Sequence, residues 1–375
     1  MSILKINKFL FLENIEYKSK KFNVIIGKQA SGKSLIVKLD YFFKEIIFKK
    51  TLISILRKET KSEFEENIKN TFELYFPKYT WEKEEINIEF KKENYLISIT
   101  KTKRMKNIKL TLNKAILTFK NNLKKELKDN PIDNLINFHK QYNIPKIIFI
   151  PAVRSFLANI EKTFFQLTLE KTNLDPFLVI LGTHYEQIKN KLHISTNENI
   201  KKLMLEILDG EYIFKNDESW IQKNNKLTKV IHSSSGQQEA LPMINLISYY
   251  AHTQNNLFYV EEPEAHLFPK SQKNIIELLA IFYKNNNNVS ITTHSPYILS
   301  SINNLIILNE AIKKGYKKEL EYKSIDINDV SAYILENNQL KNIIEDNLID
   351  ASKIDNISNE INEEFDEYIN LIYGF

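Results

Sequence analysis

Short, mostly apolar runs dominate the hydrophobic pattern of the chain, and three of the four stop at a glycine, a proline or an acidic residue. They occupy residues 22–26, 146–150, 257–260 and 289–292. Each has the length and the β-branched or aromatic content of a buried strand. Segments with helical spacing lie between them, at 33–48, 238–253 and 271–284. Strands that alternate with helices predict an α/β fold with a mostly parallel core sheet.

The middle of the chain follows a different pattern. Residues 86–112 alternate between apolar and polar positions and predict three short strands, an antiparallel meander. Residues 114–142 and 155–208 are mostly helical in pattern, with breaks expected near Asp175-Pro176 and Gly182. We expect the meander and these helices to form an insertion or lobe. The predicted division is a first part of the core at 1–60, the insertion at 61–229, a second part of the core at 230–310 and an acidic helical segment at 311–375.

Charge is unevenly distributed although the net charge is only +5. Residues 101–128 hold ten Lys or Arg and one acid, and residues 341–375 hold nine acids and two Lys. Both runs fit solvated surfaces. They also fit a basic surface that could contact nucleic acid and an acidic interaction tail.

Location and redox chemistry are constrained by what the sequence lacks. There is no cysteine, so disulfides and thiolate metal sites are excluded. No apolar run approaches ~20 residues, and the first residues do not resemble an export signal. We therefore expect a cytoplasmic protein without a membrane contact.

The strongest chemical motif is a loop between the first apolar strand and the first helix. It matches the pattern GxxxxGK[ST] and consists of Gly27, Lys28, Gln29, Ala30, Ser31, Gly32, Lys33 and Ser34. The N–H groups of such a loop wrap around phosphates at a helix N-terminus. Lys33 is expected to reach the outer phosphates, and the Ser34 hydroxyl is expected to bind Mg²⁺.

Two acids and a histidine follow the later buried strands. Glu261 and Glu262 end the strand at 257–260, and His294 ends the next one. Carboxyl ends of parallel strands share one edge of a sheet, so these side chains are expected beside the phosphate loop. Glu261 would hold Mg²⁺ through water, Glu262 would polarise the attacking water, and His294 would donate to the terminal phosphate.

A Ser-rich segment precedes the apolar helix that leads to the acid-bearing strand. Ser234, Ser235, Gly236 and Gln237 form a typical helix N-cap. A hydroxyl and a glycine N–H at a helix start also form an anion site. Its ligand need not be the nucleotide held by the same chain.

Taken in order, these four elements resemble the ABC-type ATPase heads of the RecF, SMC and OLD group. Val260–Pro269 resembles that group's Walker B and D-loop segment, Thr293-His294-Ser295-Pro296 its switch histidine, and Ser234–Glu239 its signature. Two residues depart from the pattern: Glu261 stands where Asp is usual, and Gln237 where a second Gly is common. The segment Ile150–Arg154 is also similar, which makes Arg154 a candidate phosphate or interface residue.

The resemblance implies an ATPase with Mg²⁺ that forms a homodimer or higher homo-oligomer through head-to-head contacts across ATP. Ser235 and Gly236 of one chain would contact the γ-phosphate bound by Lys33 of the other, and Glu264-Ala265-His266 would lie at that interface. Residues 306–310 have the pattern of a strand, but the Asp-x-Asp strand of a TOPRIM nuclease does not follow them, and the tail acids Asp346, Asp350 and Asp355 lie in helix-like surroundings. The long heptad runs of a coiled coil are also absent. Such stand-alone heads resemble subunits of anti-phage systems that regulate a separate effector, a nuclease or toxin. The alternatives are a RecF-like DNA-repair ATPase and an ATP-gated scaffold with little turnover.

Overall fold

The computed structural model describes residues 1–127, 144–160, 174–189, 191, 197–351 and 363–372. Its strands are β1 Ser2–Phe9, β2 Leu12–Ser19, β3 Phe22–Ile26, β4 Ile86–Lys92, β5 Tyr95–Lys101, β6 Lys109–Leu112, β7 Ile147–Ile150, β8 Glu211–Lys215, β9 Glu218–Lys223, β10 Lys226–Lys229, β11 Leu257–Glu261, β12 Asn288–Thr293, β13 Val330–Glu336, β14 Gln339–Asn342, β15 Ile344–Glu345 and β16 Leu348–Ile349. Its helices include α1 Lys33–Glu45, α2 Thr51–Leu56, α3 Lys61–Tyr75, α4 Lys114–Leu127, α5 Phe156–Ile160, α6 Pro176–Ile188, α7 Glu198–Leu208, α8 Ser235–Tyr250, α9 Pro269–Lys284 and α10 Pro296–Lys313.

A six-stranded sheet forms the centre of the fold, in the order β14-β13-β3-β12-β11-β7. All of its neighbouring strands pair in parallel except β14, which is antiparallel to β13. Both faces of this sheet are covered, which explains why its strands are continuously apolar. Val24 and Ile26 pack into one hydrophobic cluster, whereas Ile25 between them packs into the other. The predicted α/β class with a mostly parallel core is confirmed.

A second sheet is antiparallel and runs in the order β2-β1-β4-β5-β6. Its last three strands are the predicted meander. Its first two are the N-terminal strands, and β1 pairs with β4 along most of its length. The meander is therefore continuous with the start of the chain and does not form a sheet of its own.

Three predicted elements are wrong. Gly182 does not break a helix but lies buried inside α6, where its missing side chain permits close packing. Residues 306–310, which read as strand-like, belong to α10. The C-terminal segment is not simply helical, because Val330–Glu336 is a strand that pairs with β3. The turn at Asn337 and Asn338, both with positive φ, joins β13 to β14 in a hairpin.

Parts of the predicted helical regions 114–142 and 155–208, and the acid Asp355, lie outside the described residues. Residues 363–372 form a helix, as the acidic tail predicted. Within the described ranges, no helix combines the length and hydrophobicity that crossing a bilayer requires.

The basic segment is not a continuous charged surface. Lys101 is buried and donates hydrogen bonds to the carbonyls of Glu82 and Glu84. Lys120 is also buried, and its amine donates to the Glu59 carbonyl. These two lysines stabilise the packing of the chain and are not available to a nucleic acid, so the predicted basic surface is reduced to its exposed members.

A buried polar cluster joins α1 to the core sheet. One carboxylate oxygen of Asp40 accepts hydrogen bonds from the Lys44 amine at 2.8 Å and the Tyr259 hydroxyl at 2.7 Å. All three side chains are almost wholly buried. A buried ion pair of this kind costs desolvation energy, but removing one partner leaves an uncompensated charge.

We predict that Lys44→Met lowers the free energy of unfolding by about 3–5 kcal/mol, because it leaves the Asp40 carboxylate buried without its cation. Chemical denaturation measures this change. The matched control is Lys61→Met, which removes an exposed i,i+4 partner of Glu65 on α3 and is expected to cost less than about 1 kcal/mol. Equal effects of the two substitutions would contradict the assignment of a stabilising buried pair.

Candidate active site

The phosphate loop connects β3 to α1 as the motif predicts. Gly27 has φ +150, and a Cβ there would lie 2.6 Å from the carbonyl oxygen of Leu335 on β13. Gly32 is the N-cap of α1 with φ +105, and a Cβ would lie 2.8 Å from the Phe11 ring. Both positions therefore require glycine, and the loop N–H groups surround the N-terminus of a 13-residue helix.

Lys33 lies over this loop. Its amine donates hydrogen bonds to the carbonyls of Gly27 at 2.7 Å and Lys28 at 2.8 Å. Burial lowers the pKa of the Lys33 ammonium, and the nearby carboxylates of Glu262 and Glu264 partly oppose that effect. The amine is thus a cation held in place where phosphate oxygens would meet the loop.

Glu261 is the last residue of β11 and Glu262 follows it, and β12 lies between that strand and β3. The Glu261 side chain is buried, and one of its carboxylate oxygens accepts a hydrogen bond from the Ala152 N–H at 3.3 Å. Glu262 has φ +44, an unfavourable conformation for a residue with a Cβ, which costs about 1–3 kcal/mol. Such strain, when the surrounding structure maintains it, is common at functional sites.

His294 follows β12 at the same sheet edge. Its Nδ1 lies 3.8 Å from a carboxylate oxygen of Glu262 and 3.5 Å from one of Glu264. The same Glu264 oxygen accepts hydrogen bonds from the His294 N–H and the Thr293 hydroxyl. The Glu264 side chain is buried and holds the Thr293 hydroxyl and the His294 backbone, whereas the interface expected for the segment Glu264-Ala265-His266 stays a prediction. His266, two residues later, is exposed.

A cavity of ≈ 370 Å³ opens beside the loop. Residues 30–35 form one wall, and Glu262 reaches it from β11. The opposite wall is largely apolar and comes from two elements that no motif identified, the β1–β2 turn with Phe11 and the end of α3 with Tyr75, Phe76 and Pro77. An apolar cavity that adjoins a phosphate loop has the composition expected for a planar base.

The Ser-rich segment begins α8, and none of its residues lines that cavity. Ser234 caps the helix, and its backbone N–H and hydroxyl both lie 3.1 Å from the Gln237 side-chain oxygen. The Gln237 amide also donates to the Leu208 carbonyl at 2.7 Å. Gln237 is thus used to form the cap, while Ser235 is exposed on the first turn. A Cβ at Gly236 would lie 2.6 Å from the His266 carbonyl oxygen, so that position requires glycine.

Arg154 is not a surface residue that awaits a phosphate. It is fully buried, and its guanidinium donates to four main-chain carbonyls, those of Pro151, Glu239, Glu261 and Glu262. Burial lowers the pKa of Arg154, and the surrounding carboxylates, Glu239 first among them, oppose the shift. Its predicted role as a phosphate or interface contact is wrong because every donor nitrogen is already bonded inside the chain.

Whether Mg²⁺ fits depends on the ligands at the loop. In the described residues, no group of three or more His, Asp or Glu side chains could hold a metal ion by itself. However, one carboxylate oxygen of Glu261 and the Thr292 hydroxyl are buried without a hydrogen-bond partner, an arrangement that suits a water-coordinated cation. Ser34 and Glu261 would hold Mg²⁺ together with nucleotide phosphates and water, as Mg²⁺ usually binds.

Three features of this site were not predicted from the sequence: the apolar cavity wall that includes Phe11, the contact of Glu264 with His294, and the hydrogen bonds from Arg154 to four main-chain carbonyls. The apolar wall forms where the β1–β2 turn packs near the end of α3, and contacts between such distant segments produce no recognisable sequence pattern. Glu264 and Arg154 did carry a signal, because each follows a buried strand of the core sheet by a few residues. That placement at the carboxyl edge indicates proximity to the site but does not show which way a side chain turns.

Comparison with known proteins adds one family match. Residues 150–299 match the family model described as AAA ATPase domain. This segment contains Arg154, the Ser-rich cap, both acids and His294, whereas the phosphate loop lies outside it. No curated protein matches the chain.

Among solved structures, the chain is similar to the SMC head domain from Thermotoga maritima, with 12% identity, 91% of this chain and 97% of that chain covered, and a TM-score of 0.40. It is also similar to the Smc head domain with an extended coiled coil bound to the C-terminal domain of ScpA from Pyrococcus furiosus, with 14% identity, 96% and 100% covered, and a TM-score of 0.43. The family match supports an ATPase of the AAA type, and the residue roles rest on the geometry of the site.

Proposed function

We propose that this chain binds Mg–ATP and hydrolyses it at the carboxyl edge of its core sheet. The observation that carries the proposal is the convergence of Lys33, Glu262 and His294, which come from three separate parts of the chain. Glu262 lines the cavity that adjoins the loop, and His294 lies 3.8 Å from it. A solvated acid at the end of an ordinary strand would not meet both a phosphate loop and a histidine.

The roles follow from the chemistry of each group. The loop N–H groups and Lys33 bind the β- and γ-phosphates, and Ser34 and Glu261 hold the hydrated Mg²⁺, which neutralises phosphate charge. The Glu262 carboxylate accepts a proton from the water that attacks the γ-phosphorus, and the bond to the ADP oxygen breaks. His294 donates a hydrogen bond to a γ-phosphate oxygen. A carboxylate in this position favours turnover over a purely nucleotide-gated scaffold.

We further propose that ATP joins two copies head to head. Ser235 and Gly236 of one copy would bind the γ-phosphate held by Lys33 of the other, at the N-terminus of the 16-residue helix α8. Exposed apolar side chains in the neighbouring turns support an interface at this edge, among them Phe268, 78% exposed, and Val153, 68% exposed. ATP binding would assemble the dimer, and hydrolysis would release it.

A regulatory role extends this proposal: ATP-dependent assembly is the signal that a separate effector, a nuclease or toxin, responds to in defence against phage. The test is growth of cells that co-express the chain with the product of a neighbouring gene. The role is supported if cells that co-express the Lys33→Ala variant grow differently from cells that co-express the intact chain, whether the intact chain causes or relieves toxicity. A neighbouring product whose effect is the same with and without the intact loop would contradict it.

We expect Lys33→Ala to weaken ATP binding at least about tenfold, since it removes charge-assisted hydrogen bonds to the phosphates. Titration with a fluorescent ATP analogue measures the affinity. The matched control is Lys69→Ala, which removes a partly exposed lysine on α3 that pairs with Glu66, and this variant is expected to bind ATP normally. Unchanged affinity in Lys33→Ala would rule out the loop as the phosphate site.

Glu262→Gln should bind ATP normally but hydrolyse it at least about 100-fold more slowly, because the amide cannot accept the proton of water. Size-exclusion chromatography with light scattering should then show an ATP-dependent dimer. Adding Ser235→Arg to this variant should prevent the dimer while ATP still binds. A mass that does not respond to ATP would contradict head-to-head assembly.

Phe11→Ala is expected to weaken ATP binding about tenfold through loss of base stacking. Because the Phe11 ring also lies against Gly32, the same variant is titrated with inorganic tripolyphosphate. A loss confined to ATP identifies Phe11 with the base. An equal loss of affinity for ATP and tripolyphosphate would mean that Phe11 supports the loop, and it would contradict binding of the base in this cavity.

A further inference from the structure

The buried guanidinium of Arg154 connects three elements of the site. Nη1 donates to the carbonyls of Pro151 at 3.0 Å and Glu261 at 2.8 Å, and Nη2 donates to that of Glu262 at 2.9 Å. Nε donates to the carbonyl of Glu239 on α8 at 3.0 Å. One side chain therefore joins the end of β7, the end of β11 and the second turn of α8.

The hydrogen bond from Nη2 of Arg154 is made to Glu262, the residue whose backbone is strained. Glu262 has a positive φ, and its own N–H donates to the Thr292 carbonyl at 2.9 Å while its carbonyl receives Arg154. These two bonds fix the peptide groups on both sides of its Cα. Because the backbone conformation sets the direction of the Cβ, they also determine where the Glu262 carboxylate points.

Arg154 contacts Glu239 on α8 through both a hydrogen bond and an ion pair. Besides its carbonyl, Glu239 places a carboxylate oxygen 3.5 Å from Nε of Arg154. Glu239 is buried and lies one turn after Ser235 and Gly236, the residues that we place against the nucleotide of a second copy. A shift of the first turns of α8 would thus move an acceptor of the same guanidinium that holds Glu262.

We propose that Arg154 is a positioning residue that couples the Ser235–Gly236 segment to the hydrolytic carboxylate of Glu262. When nucleotide of the second copy fixes the start of α8, Arg154 holds Glu262 in line with the attacking water. When that contact is lost, the acceptor on Glu239 shifts and Glu262 leaves its productive orientation. This inference rests on the proposed function, and it adds how the segment at the interface governs turnover.

Arg154→Lys is the informative substitution. It keeps the buried positive charge, but an ammonium on a shorter, unforked side chain cannot span all four carbonyls. The loop that binds phosphate is untouched. We therefore expect ATP affinity within about twofold of that of the original chain and a single-turnover hydrolysis rate about 100-fold lower, since a small misplacement of a reacting group is enough for such a loss. The increase of turnover with protein concentration should also disappear.

The experiment compares the original chain, Arg154→Lys and the control Arg104→Lys, an exposed arginine in the β5–β6 connection. ATP titration, single-turnover hydrolysis and thermal unfolding are measured on each. Lowered turnover at unchanged ATP affinity, in a variant that thermal unfolding shows to be folded at the assay temperature, supports the coupling. Normal turnover in Arg154→Lys overturns the coupling, while the proposed ATPase function of the original chain would stand. If the original chain itself does not bind ATP, the proposed function fails instead.

A second variant decides the matter if Arg154→Lys does not fold. Glu239→Gln leaves the four carbonyl contacts in place and removes only the charge at 3.5 Å from Nε. Turnover that is severalfold lower at unchanged affinity supports coupling through α8. Turnover equal to that of the original chain overturns it.

Discussion

The site depends on one geometric constraint, the common direction of β3, β12 and β11. Because these strands are parallel, their carboxyl ends meet at one edge, and that edge receives the phosphate loop, His294 and the two acids. The registers place Glu261 opposite Thr292 and Thr293 opposite Ile26. Groups separated by more than 200 residues are thereby brought together before any side-chain interaction contributes. Burial of the strands on both faces of the sheet stabilises this arrangement.

Backbone conformations that are unfavourable in isolation cluster at this edge. Gly27, Ala30, Gly32 and Glu262 all have positive φ. The glycines adopt such conformations at little cost, but Glu262 does not, and the bonds from Arg154 and to Thr292 offset its strain. The backbone of Glu262 is thus held on both sides, whereas the start of α8 carries two exposed serines, Ser234 and Ser235, and the cap bonds join Ser234 to Gln237. That difference is what makes α8 a suitable place for an external contact to act.

The sequence was sufficient to predict the elements whose signals are local. The strand before the loop, the two acids, the histidine and the meander each occupy a few consecutive residues, and the structure contains them where the pattern indicates. Packing across the chain could not be predicted in this way. The burial of Arg154, Lys101 and Glu264 results from neighbours that are distant in sequence, and charged residues are ordinarily expected at the surface. β13 is missed for a different reason: the prediction treats the whole of 311–375 as one helical segment, although Val330–Glu336 has the apolar and β-branched residues of a strand.

That C-terminal strand has a direct consequence for the phosphate loop. β13 completes the core sheet beside β3, and the Leu335 carbonyl approaches Gly27 so closely that a Cβ there would lie 2.6 Å away. The first glycine of the motif is thus required by two constraints, its own positive φ and the contact with the last strand of the sheet. The position of Gly27 therefore depends on residues more than 300 positions later. The glycine loop and the C-terminal strand are therefore in direct backbone contact, so that a side chain at residue 27 would have to displace either the loop or the end of β13.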